Sequence, residues 1–113
     1  MRNRPLVTDE DVEASLDFLL RLAEEFGTAE AEAELAHELL KVTRAEVISM
    51  STKSSQDRRE AEALTHPTYR AALERRRDAY RKVRVMLALR RGHEVRIEVW
   101  RTLSANNRGP RPA

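Results

Sequence analysis

Thr68–Arg101, TYRAALERRRDAYRKVRVMLALRRGHEVRIEVWR, decides how the rest of the chain is read. As a helix it sets Arg70, Arg77, Arg84 and Arg91 seven residues apart with Arg81 beside them, in one basic stripe that covers roughly 32 Å. Tyr69, Leu73, Tyr80, Val83 and Leu87 fall on one apolar face of the same helix. Arg76 and Arg90 are set into that face, where they are expected to pair with acids or to face a cavity. Glu94–Val99 alternates strictly, which is a strand signal. A lone six-residue strand would have no partner in this chain, so the helix is expected to continue from about Pro67 toward Asn106.

Outward from this stretch the charge reverses. Residues 68–113 carry 13 Lys and Arg against 4 Asp and Glu, whereas residues 1–52 carry 5 against 12. The net charge of +2 hides this asymmetry. A basic segment facing an acidic one implies pairing between helices, a surface kept for a polyanion, or both.

The acidic half has a long period of its own. Val12, Leu16, Leu19, Ala23, Phe26, Ala29, Ala33, Ala36, Leu40, Thr43, Val47 and Met50 follow three- and four-residue steps, a heptad seam that keeps its phase through Gly27. One long helix is therefore expected, with Thr8 as its cap and Asp11 three residues later. The alanines in mid-seam allow a close helical neighbour. Ser51–Pro67 reads as a connector holding a short helix that starts after Ser55 and ends near Leu64, with Thr65 capping the next helix at Pro67.

These elements give an all-α fold: an antiparallel long-helix hairpin with a short connecting helix, assembled into a homo-oligomer through its heptad and alanine seams. Residues 1–7 are expected to be a flexible arm, 8–106 a single helical domain and 107–113 a disordered tail. Charged residues make up 35% of the chain and aromatics 4%, which suits long helices packed on one another better than a large globular core. There is no cysteine, which fits a cytoplasmic location, and no apolar run approaches the length of a membrane span. The first eleven residues do not resemble a secretory signal.

The search for catalytic chemistry is negative. The sequence has no glycine-rich phosphate loop and no Walker lysine. His37, His66 and His93 stand apart, and His37 lacks a second histidine at zinc-binding spacing. His37 is expected on a helix surface, His66 in a turn and His93 at a weak point of the last helix. Trp100 reads as a core or interface anchor. No enzyme activity, metal or cofactor is expected. Arginine, in contrast, suits phosphate, because its planar fork holds oxygens in pairs. A ridge of such groups follows a nucleic-acid backbone without reading sequence.

Four short stretches carry a resemblance: Thr8-Asp9-Glu10-Asp11-Val12-Glu13, Ser55 to Arg58, Pro67-Thr68-Tyr69 and Ile97-Glu98-Val99-Trp100-Arg101-Thr102. Together they resemble small helical proteins of tailed phages and, more distantly, the UvsY-like recombination mediators. The resemblance implies a ring-like oligomer in the host cytoplasm that binds single-stranded DNA and helps load a recombinase over a single-strand-binding protein. The mediators' basic motif on the first helix carries over to Lys41 and Arg44 only, since Val47 and Ile48 stand where the mediators have tyrosines. The nucleic-acid-binding candidates are thus Lys41, Arg44, Arg70, Arg77, Arg81, Arg84 and Arg91. The competing expectation is a structural or adaptor protein whose arginines are buried against Glu30, Glu34 and Glu38.

Overall fold

A computed structural model describes residues 6–108. The expected arm and tail therefore lie partly outside the described residues. Among these residues three helices follow one another: α1 (Asp9–Met50), α2 (Gln56–Thr65) and α3 (Pro67–Arg108). Among the described residues there is no strand, and the alternating Glu94–Val99 segment is helical.

Each helix start has a local cause. Thr8 and Asp11 form a reciprocal box at the head of α1. The Thr8 N–H donates to Asp11 Oδ2 at 2.9 Å, and the Asp11 N–H donates to Thr8 Oγ1 at 3.2 Å. Asp9, Glu10 and Asp11 place negative charge on the positive end of the helix dipole. Ser55 caps α2 by accepting from the Arg58 N–H at 3.3 Å. The connector is tied down by the Ser51 hydroxyl donating to Glu62 Oε2 at 2.6 Å and by Arg59 Nε donating to the Lys53 carbonyl at 2.7 Å.

The head of α3 corrects one expectation. Thr65 does not cap it, because Thr65 is the last residue of α2 and its hydroxyl bonds back to the Glu62 carbonyl. His66 takes that place: its Nδ1 accepts from the Thr68 N–H at 3.1 Å, and its carbonyl accepts from the Arg70 N–H.

The chain gathers into two compact units. A terminal unit combines α1 up to Glu25 with α3 from Val85 onward. A central unit spans Phe26–Arg84 and includes α2. In the terminal unit α1 and α3 run antiparallel: Trp100 Nε1 donates to Asp9 Oδ1 at 2.8 Å, and Ser15 meets His93. The central unit is antiparallel as well, with Glu32 beside Lys82 and His37 beside Tyr80.

The seam of α1 differs from the expected one in its first half. Val12, Ser15, Leu22, Ala29, Ala33, Ala36, Leu40 and Val47 are buried, and Leu19, Phe26 and Thr43 are half-buried. These positions alternate three- and four-residue steps without a fault. Met50, expected to end the seam, is exposed, and so are Leu16 and Ala23 in its first half. Keeping them would need two consecutive three-residue steps, from Ala23 to Phe26 and on to Ala29. An unbroken heptad period leads instead to Leu22 and Ser15.

Burial is uneven in kind. Leu40 and Val47 each contribute about 1.5–3 kcal/mol of transfer free energy, while a buried alanine contributes little more than one methyl group, ~0.8 kcal/mol. What Ala29, Ala33 and Ala36 supply to the central unit is close approach of the backbones.

Candidate nucleic-acid interface

α3 carries the basic stripe because its seam positions fall at Tyr69, Ala72, Arg76, Ala79 and Val83, all buried or half-buried in the central unit. The residue after each alternate seam position is Arg70, Arg77 and Arg84, which the helical period turns outward. All three are exposed, as is Arg81. Arg70, Arg81 and Arg84 have no carboxylate within 4 Å among the described residues. Arg77 has only its sequence neighbour Asp78, at 3.4 Å and well exposed. An exposed pair of that kind is worth little and yields readily to a phosphate.

Leu73, Arg76, Arg77, Tyr80, Arg81 and Arg84 line an open groove of about 540 Å³ in the central unit. The Arg76 guanidinium carbon lies 5.2 Å from the centre of the Tyr80 ring, a cation–π arrangement. His37 of α1 stands edge-on to the same ring, with centroids 6.5 Å apart. Arg76 Nε and His37 Nδ1 are both buried without a hydrogen-bond partner. The expectation for Arg76 was a seam position beside an acid or a cavity; it is half-buried in the seam and lines this groove, with the ring of Tyr80 beside it rather than an acid. His37 is half-buried rather than on the surface, because its position follows the buried Ala36 on the side that Tyr80 covers.

The other candidates lie elsewhere. Lys41 and Arg44 are exposed on α1 in the central unit, and neither lines the groove. Lys41 Nζ is 3.3 Å from Glu38, one turn away, and Arg44 reaches Glu60 of α2 at 3.7 Å. Arg91 belongs to the terminal unit, where its guanidinium is 3.4 Å from Glu98. Arg90, expected to meet an acid, has Glu94 at 3.4 Å. Burial of the stripe against Glu30, Glu34 and Glu38 is not seen: Glu38 faces Lys41, and the stripe arginines are exposed. Lys82 of α3 does form an ion pair with α1, 3.7 Å from Glu32.

The terminal unit also holds a polar cluster that hydropathy alone does not point to. Ser15 is fully buried, and its Oγ shares a 2.9 Å hydrogen bond with His93 Nδ1. Arg96 Nη1 donates to the same oxygen at 3.5 Å. Phe18 stacks on the His93 ring with centroids 4.2 Å apart. His93 is therefore not a weak point of α3 but a contact that fixes α3 against α1. The available signal was the phase of the heptad, which lands on Ser15 when followed strictly.

Among the described residues no group of three or more histidine or carboxylate side chains could hold a metal ion, and no helix is long and apolar enough to cross a membrane. No known protein family, curated protein or solved structure matches this chain.

Proposed function

We propose that the protein is a single-stranded DNA-binding accessory protein of phage recombination or replication, acting without catalysis. The observation that carries this reading is the exposure of Arg70, Arg77, Arg81 and Arg84 on one helix of the central unit, the last three lining a groove beside the half-exposed ring of Tyr80. Four guanidinium groups at helical spacing follow a flexible phosphate backbone, and a tyrosine among them offers a base a stacking surface. Lys41 and Arg44 add positive charge on α1, and Arg91 adds it in the terminal unit. The resemblance to UvsY-like mediators extends the reading to a homo-oligomer in the host cytoplasm that meets a recombinase or a single-strand-binding protein.

Fluorescence anisotropy of a labelled oligonucleotide tests it. Binding at low salt that weakens steeply as salt rises supports the reading; no binding at low salt ends it. A second reading, an adaptor whose charges join helices and whose ligand is a protein, is favoured by the Lys82–Glu32 and Arg44–Glu60 pairs, each between two helices. It predicts no affinity for the oligonucleotide.

A further inference from the structure

The heptad and alanine seam is covered within the chain. The terminal unit carries two other features that fit each other. One is a ridge on α1. Leu16 and Leu20 sit one turn apart and therefore on one side of the helix, and they are 47% and 75% exposed. They are uncovered because Ser15 and Leu22 occupy the seam in this region. Glu13 and Asp17 flank the ridge, both exposed and without a cationic partner within 4 Å among the described residues.

The other feature is a groove on α3 of about 440 Å³. Val85 and Leu89 form its apolar sides, and Ala88, Gly92, His93 and Arg96 complete it. A Cβ placed on Gly92 would meet nothing within 4 Å, so the packing of this chain does not call for glycine there. Glycine inside a helix costs roughly 1 kcal/mol relative to alanine. What it provides is an open floor able to receive a bulky side chain. Arg96 stands at the polar end, exposed, with the Ser15 hydroxyl at 3.5 Å and no carboxylate within 4 Å among the described residues.

We propose that the terminal unit docks a second copy of this chain, the Leu16–Leu20 ridge of one copy filling the Val85–Leu89–Gly92 groove of the next, with Asp17 and Glu13 facing Arg96. Apolar shape and opposite charge coincide in this pairing, which is why a second copy is the occupant. Ridge and groove are different patches, so the contact is heterologous. Repeated from copy to copy, it closes into a ring or extends as a chain. It uses no residue of the central unit and does not depend on the nucleic-acid reading.

Sedimentation velocity of the full chain over rising concentration tests the proposal, with circular dichroism confirming that each variant keeps its helices. The wild type is expected to self-associate. Leu20→Glu replaces an exposed side chain with another good helix former, and it should raise the dissociation constant about tenfold or more. Asp17→Arg and Arg96→Asp should each weaken association. Their equimolar mixture should restore it, because each variant then offers the charge that the other lacks. A wild type that stays monomeric throughout overturns the proposal, as does a Leu20→Glu variant that associates like the wild type. Two weakened single variants whose mixture fails to recover overturn the pairing of Asp17 with Arg96.

Discussion

The two units apply one heptad period to different chemistry. In the central unit the α1 seam is Ala29, Ala33, Ala36, Leu40 and Val47, and the polar groups that matter lie outside it, as an arginine-lined groove around Tyr80. In the terminal unit a hydroxyl sits in the seam itself, and Ser15, His93, Arg96 and Phe18 converge on one point. Alanine contacts set a close distance between helices but say little about register, since one alanine resembles the next. A buried serine bonded to one particular histidine fixes the register. The central unit is thus suited to presenting charge, and the terminal unit to holding its own two helical segments in register.

Three substitutions, two of them with an exposed control, test this contrast. Leu22→Ala empties a buried site of the terminal unit and should cost about 2–5 kcal/mol in chemical denaturation, whereas Leu16→Ala, one turn and a half away but exposed, should cost far less. Equal losses would mean that the seam runs through Leu16 after all. In the central unit Ala33→Leu should destabilise by about 1–3 kcal/mol, because a larger side chain forces apart helices that meet through small ones. The exposed Ala31→Leu serves as its control. A neutral Ala33→Leu would show that the alanine seam is loosely packed. The smallest expected change is Ser15→Ala, at about 1 kcal/mol, from the lost hydrogen bond to His93. Its sharper readout is the imidazole resonance of His93 by NMR, which should move as the ring loses its Ser15 partner.

Much of the fold was legible because it rests on period and punctuation. The caps at Thr8 and Ser55 and the continuity of α1 through Gly27 follow from local rules applied to this sequence, whereas the helical state of Glu94–Val99 runs against a local strand signal and follows from the lack of a second strand to pair with it. The seam's first half was misplaced because hydropathy favoured Leu16 over Ser15. A serine becomes acceptable in a core only when a distant partner satisfies it, and His93 is 78 positions away. The Arg76–Tyr80–His37 arrangement was hidden for a similar reason: His37 reaches the groove from another helix. The outward stripe was readable, since a seven-residue spacing in one helix fixes direction regardless of what packs behind it.

The salt dependence of oligonucleotide affinity, compared between the wild type and the Arg77→Glu/Arg81→Glu/Arg84→Glu variant, tests the central claim most directly. For single strands each phosphate contact contributes about 0.7 to the slope of log affinity against log salt, so losing three should flatten the slope by about two and weaken binding at low salt. The substituted residues are exposed, and circular dichroism should stay unchanged. An unaltered slope and affinity would contradict the assignment of these arginines as the nucleic-acid surface.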